Sequence, residues 1–198
     1  MPSYAAPVYQ PAPVGLAPGF HEHDGFYMRL LMGGGYLSTK EKFGGNTYTL
    51  SGGAVAFSAA FGGAVAPNLI IYGELGGMSV NEPSVSGNGS SGTAKGLTLN
   101  MISFGPGLAY YVQPMNLYVS GTFNFTKFSM SDNNNSNNTA DSDTGFGFSA
   151  TLGKEWWVST DWGLGAAAQF NMGTAKADSG DTTLTGIGFA VMFSATYN

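Results

Sequence analysis

Few side chains in this sequence have the types and spacing to do chemistry. Residues 20–25, "FHEHDG", set His21 and His23 two positions apart with Glu22 and Asp24 beside them. Alternate histidines on an extended segment are able to chelate a metal, but no cysteine supports this pair, and a solvated polar approach segment is the competing reading. Arg29, the single arginine, and Glu74 are charges set inside strand-like runs, with Tyr72 and Gln169 as polar companions and Glu155 on the same parity lower down. An arginine and a glutamate so placed would meet as a buried ion pair, either plugging an interior or narrowing it to a polar constriction. Residues 131–144, "SDNNNSNNTADSDT", offer oxygens of the kind calcium uses. They lack the glycine and terminal glutamate of an EF-hand, so a polar surface loop competes with a cation site. Enzymatic chemistry fares poorly: no strand-like run carries a histidine, and a serine or threonine without a base is inert. The glycines form no phosphate-cradling motif.

The elements that hold these residues read as strands. After the break Gln113-Pro114-Met115, Leu117, Val119, Gly121, Phe123 and Phe125 share one parity while Tyr118, Ser120, Thr122 and Asn124 share the other, a period of two. The same layout of strand, valine, tight break and strand recurs at Val65, Val112 and Val158, spaced 47 and 46 residues apart by subtraction. This is a hairpin repeat. Short breaks alternate with long polar connections at 38–48, 81–95, 131–144 and 177–182. Eight strands follow, at 25–37, 49–65, 69–80, 96–112, 116–130, 145–157, 162–176 and 183–197. Residues 1–23, with prolines at 2, 7, 11, 13 and 18, read as an extended arm without the basic and apolar regions of a signal peptide, and 24–198 as the domain.

Composition decides which solvent the alternating faces meet. Charged residues make up 10% of the 198, hydrophobic residues 43%, and glycine accounts for 31 positions, whereas soluble domains carry about 25% charge. The net charge of -5 excludes the basic footprint of a nucleic-acid binder. One face of each strand is large and apolar, as in Phe26, Met28, Leu30 and Met32 or Ile187, Phe189, Val191 and Phe193. The opposite face is mostly glycine, alanine, serine, threonine and asparagine, a poor water-facing surface and a suitable lining for a narrow interior. The large side chains then face lipid. In hydrocarbon a strand edge leaves backbone groups unsatisfied, so the sheet must close, and eight strands close around an interior that holds side chains and little else. In the fourth strand Leu97, Leu99 and Met101 take one parity and Leu108, Tyr110 and Val112 the other, which predicts a bulge at "SFGPG", 103–107.

The opening "HDGFYMRLLMGGGYL", the turn "VAPNLIIYGELGG" and the closing "GIGFAVMFSATYN" resemble those of small eight-stranded bacterial outer-membrane barrels of the OmpA, OmpX and OmpW kind, over residues 24–198. That resemblance implies an all-β, antiparallel, up-and-down transmembrane barrel with short periplasmic turns, longer extracellular loops and both termini periplasmic. Tyr110, Tyr111, Trp156, Trp157 and Trp162, beside the short turns, are then expected to form the periplasmic aromatic girdle. Lys127, on the outward parity near the external end, is expected either to reach lipopolysaccharide phosphates or to stand as a plain rim lysine. The alternating C-terminal strand resembles the signal read by the barrel assembly machinery, with Tyr197 penultimate where the family's aromatic is last. Partners expected are outer-membrane lipids, lipopolysaccharide and that machinery, with no cofactor. Three functions stay open: a structural or surface-interaction barrel with a filled lumen, a narrow channel for small or hydrophobic solutes as in OmpW-like barrels, and a soluble up-and-down barrel binding a ligand inside.

Overall fold

Alternation of side chains along nearly every run produces a sheet and nothing else. The structure, a computed structural model, describes residues 23–43, 45–133, 135–177 and 182–197. Its strands are β1 (Phe26–Phe43), β2 (Asn46–Ala66), β3 (Leu69–Asn81), β4 (Ser84–Gly87), β5 (Ser90–Thr93), β6 (Leu97–Val112), β7 (Leu117–Asp132), β8 (Asn135–Asp141), β9 (Gly145–Trp157), β10 (Trp162–Lys176) and β11 (Thr183–Tyr197). Antiparallel pairing runs β1-β2-β3-β6-β7-β9-β10-β11 and returns to β1, so eight strands close a ring. Strands β4 and β5 form a hairpin on the far end of β2, and β8 pairs with the far end of β7.

One end of the ring carries the tight turns. Pro67-Asn68 joins β2 to β3, and a short segment ending at Asn116 joins β6 to β7, with Asn68 at φ 64° and Asn116 at φ 48°. Asparagine tolerates this left-handed conformation better than most side chains. We call this end lower. At the upper end the connections differ from expectation. Segment 38–48 is no long loop: β1 and β2 stay paired from Phe26↔Gly63 to Phe43↔Asn46, and Gly45, just before β2, has φ 82°. Threonine, tyrosine and lysine are compatible with a strand that has risen beyond an apolar layer, so polarity there marks a change of solvent and not the end of pairing. Segments 81–95 and 131–144 likewise contain β4, β5 and β8 instead of being loop throughout.

The two faces separate cleanly. Met32 (68% exposed), Leu152 (61%) and Val191 (60%) belong to a belt of large apolar side chains that covers the outside of the ring. Burying each such side chain is worth about 1.5–3 kcal/mol, so a surface of this kind requires a non-aqueous solvent. Inside, the upper lumen is apolar: Leu31, Leu37, Met78, Val80, Met101 and Phe128 are all buried. Met78 on β3 and Phe128 on β7 cross the lumen to β11, where a Cβ at Gly188 would lie 2.3 Å from Met78 Sδ and one at Gly186 2.5 Å from Phe128 Cε1. Only glycine leaves room for either.

The apolar upper lumen corrects the expected bulge. Leu99 and Met101 point inward with the other buried residues, while Ile102, Phe104, Leu108, Tyr110 and Val112 form one continuous outward row. Strand β6 pairs with β3 without a break, Gly73 opposite Pro106, and with β7 in the same register on both sides of Pro106. The parity conflict arose from assigning every leucine and methionine to lipid. Gly105 and Pro106 are the two positions missing from the β6–β7 ladder, as expected where proline donates no hydrogen bond.

Candidate functional site

The lumen's polar groups are brought together by the ladder register. Arg29 on β1 and Glu74 on β3 both pair with Ala60 of the intervening β2, which puts them in one row two strands apart, roughly 9.5 Å between backbones. Long side chains close that distance over the small methyl of Ala60: Arg29 Nη2 lies 3.4 Å from Glu74 Oε2 and donates to Ser120 Oγ at 3.1 Å. Arg29 is fully buried and the Glu74 side chain is 5% exposed. Three tyrosine rings surround the guanidinium, with centroids of Tyr118, Tyr72 and Tyr27 at 4.7, 5.4 and 5.9 Å from Cζ. Cation–π attraction in such a desolvated position is worth about 2 kcal/mol or more. Two of the tyrosines are seated by glycine. Tyr72 covers its cross-strand partner Gly107, and Tyr118 covers Gly153, each leaving 2.4 Å to where a Cβ would stand.

Hydrogen bonds organise the lumen's polar side chains into separate groups at and around this row, with the ring face of Tyr118 as the contact between Arg29 and the group below. Thr122 Oγ1 donates to Glu74 Oε1 at 3.4 Å and shares a 3.0 Å hydrogen bond with Tyr72 Oη. Below, Ser194 and Thr196 both donate to Glu155 Oε1, at 2.5 and 2.6 Å, and Ser194 meets Tyr118 Oη at 3.3 Å. Gln169 belongs to a separate network higher up: its Nε2 donates to Thr151 Oγ1 at 3.1 Å, and its Oε1 accepts from Asn171 Nδ2 at 3.1 Å. Asn124 Nδ2 extends that network through Ser149 to Asn171. The five polar residues singled out from the sequence therefore fall into three connected groups. Ser120, Thr122, Tyr118 and Tyr27 were missed, although Ser120, Thr122 and Tyr118 share the inward parity of β7 that the alternation had already defined.

His23 closes the lower mouth. Placed with the arm from the sequence, it is instead fully buried inside the ring. Its Nε2 donates to Asn116 Oδ1 at 3.0 Å, its backbone N–H to Asn68 Oδ1 at 3.3 Å, and its carbonyl accepts from the Asn68 N–H at 3.0 Å. The imidazole stacks on Tyr111 at 3.7 Å and lies 5.1 Å from Trp157. His21 lies outside the described residues, and among those described no group of three or more histidine, cysteine or acidic side chains is arranged to hold a metal.

The aromatic girdle needs a correction. Tyr110 and Trp156 are outside, 51% and 57% exposed, and Trp162 packs edge-on against Tyr197 on the outward parity. Tyr111 is buried in the lumen, and Trp157 packs on His23. Neighbours on a strand point to opposite faces, so neither the Tyr110-Tyr111 nor the Trp156-Trp157 pair has room for both members outside. Lys154, on the lipid parity beside Glu155, bends to the turn, where its Nζ donates to the Met115 carbonyl. Lys127 is on the outer rim and pairs with Asp141 at 2.8 Å, both side chains being exposed.

No protein-family model matches the chain, and no curated protein matches it in sequence. Solved structures do match in backbone. The crystal structure of Neisserial surface protein A superposes with a TM-score of 0.56 at 12% identity, over 88% of this chain and 97% of that one. Outer membrane protein OprG from Pseudomonas aeruginosa superposes with a TM-score of 0.52 at 13% identity, over 91% of this chain and 99% of that one. At such identities the likeness is one of fold. The chain has the fold of the small outer-membrane β-barrels, all-β and up-and-down around a ring of eight strands.

Proposed function

We propose that the protein is an integral barrel of the bacterial outer membrane whose lumen is shut to solutes, and that its activity is exercised at its upper, extracellular end through structural or surface interaction. The observation that carries this is the occupied lumen. His23 seals the lower mouth, the Arg29–Glu74 pair and its tyrosines fill the next layer, and Met78 and Phe128 reach across the top. Short turns at the lower end and the β4–β5 and β8 additions at the upper end fit periplasmic and external sides respectively, which leaves both termini periplasmic. Strand β11, which closes the ring on β1, is the segment we assign to recognition by the assembly machinery.

The apolar belt argues against a soluble ligand-binding barrel. Catalysis is not assigned, because the described histidine is fully buried, engaged with Asn116 and stacked on Tyr111. Planar-bilayer recording of the refolded protein tests the proposal against the channel reading: no steady conductance is expected. A persistent single-channel conductance in the wild type overturns it, as does uptake of a hydrophobic solute across vesicles that depends on the β6–β7 seam.

A further inference from the structure

Two buried polar atoms near the lower mouth have partners that the fold itself does not supply. Glu155 on β9 is fully buried. Its Oε1 accepts from Ser194 and Thr196 of β11, but its Oε2 has no hydrogen-bond partner among the described residues. Asn116, at the end of the β6–β7 connection, is 2% exposed. Its Oδ1 accepts from His23 Nε2 at 3.0 Å and from Gln113 Nε2 at 3.4 Å, and two donors on one side fix which way the amide is turned. Its Nδ2 is therefore directed away from them, and it too has no partner among the described residues.

Both atoms border the same space. Gly163 on β10 pairs with Trp157 of β9 on one side and Thr196 of β11 on the other. A Cβ built on it would have as its nearest neighbours Glu155 Oε2 at 3.3 Å, the Glu155 methylene Cβ at 3.6 Å and Asn116 Nδ2 at 3.8 Å. Elsewhere in the lumen such room is already taken: at Gly107, Gly153, Gly186 and Gly188 a ring or a sulfur stands 2.3–2.5 Å from that position. Over Gly163 a buried acceptor and a buried donor converge with nothing between them. Leaving either unpaired away from water is costly, and a molecule that donates once and accepts once satisfies both. A buried water does so with two polar partners.

We infer that the lower lumen contains a water-binding site over Gly163, in which one water donates to Glu155 Oε2 and accepts from Asn116 Nδ2. The water completes a chain from His23 through Asn116 and Glu155 to Ser194 and Thr196, and so fastens the lower seal to the strand that closes the ring. In assigning this role to the seal the inference rests on the shut lumen proposed above.

The test uses the full chain refolded in lipid vesicles. Solid-state NMR transfer of polarisation from water protons to labelled carboxyl carbons is expected to build up quickly at Glu155, identified by its loss in Glu155→Gln, and slowly at Glu74, whose oxygens both have protein partners. Gly163→Ala puts a methyl group into the site and strands both atoms, and is expected to raise the unfolding constant roughly tenfold. The same change at Gly73, where nothing lies within 4 Å of a Cβ, gives the baseline and should show no such loss. Gly163→Ser returns a hydroxyl able to donate to Oε2 and accept from Nδ2, so it should recover most of the loss while abolishing the water signal. A wild type without water transfer at Glu155 overturns the inference, as does a serine variant no more stable than the alanine one. If exchanging sodium for N-methylglucamine destabilises the wild type but not Gly163→Ser, the site holds a cation and the water is likewise overturned. A wild type that conducts in planar bilayers while keeping the Glu155 signal removes the shut lumen, and with it the sealing role, but leaves the water site in place.

Discussion

Replacing Glu74 by Gln keeps the volume of the side chain and removes its charge, leaving Arg29 buried without its partner. Taking one member from a buried ion pair costs about 3–5 kcal/mol, because the remaining charge stays out of water uncompensated. Three features place the expected value at the lower end. The contact is a single one of 3.4 Å and not a bidentate fork. Ser120 still accepts from Nη2, and the tyrosine faces at 4.7 and 5.4 Å still hold the guanidinium. Glutamine also presents a carbonyl where the carboxylate stood. A loss of about 3 kcal/mol is expected, or roughly 100-fold in the unfolding equilibrium. The measurement is guanidinium-driven unfolding from lipid vesicles, followed by tryptophan fluorescence and by the mobility of unheated samples on gels. Arg29→Met with Glu74→Leu removes both charges at similar volume and is expected to cost less than the single change, within about 1 kcal/mol of the wild type. If Glu74→Gln lies within about 0.5 kcal/mol of the wild type, or the double variant is the less stable of the two, the pair does not hold the lumen together in the way its geometry suggests.

A Cβ at residue 186 would sit 2.5 Å from Phe128 Cε1, so Gly186→Ala is expected to cost about 1–3 kcal/mol by overpacking. In the same unfolding assay, adding Phe128→Leu should recover part of that loss, and strictly additive losses would show that the ring does not reach the opposite wall. Pro106→Ala restores a donor in a ladder whose register is regular, and should raise stability by about 0.5–1.5 kcal/mol; a clear loss would mean that proline fixes a distortion. Asp141→Asn breaks an exposed pair and should change stability by less than about 1 kcal/mol, with no effect at high salt.

The sequence by itself determined the solvent, the ring and much of the polar lining. A period of two repeated over long runs leaves one face for lipid, and backbone hydrogen bonding in hydrocarbon then requires closure; neither step needs coordinates. Alternation even contained its own correction to the girdle, since Tyr111 and Trp157 each follow an outward aromatic. Register is what the sequence withheld. Inward parity and similar heights in their strands had already led to the expectation that Arg29 and Glu74 pair, but the row in which they meet, over Ala60, depends on how three strands slide against one another, an offset that local propensity does not carry. Composition likewise left the upper lumen ambiguous, because leucine and methionine suit both lipid and a packed interior. Whether Leu99 and Met101 turned outward was decided only when Met78, Phe128 and the glycines of β11 left an apolar space for them to fill. The placement of His23 was decided in the same way. A histidine between acidic neighbours reads as solvated, and only the ring's lower mouth, with Tyr111, Trp157 and two turn asparagines around it, supplies enough contacts and hydrogen bonds to take it out of water.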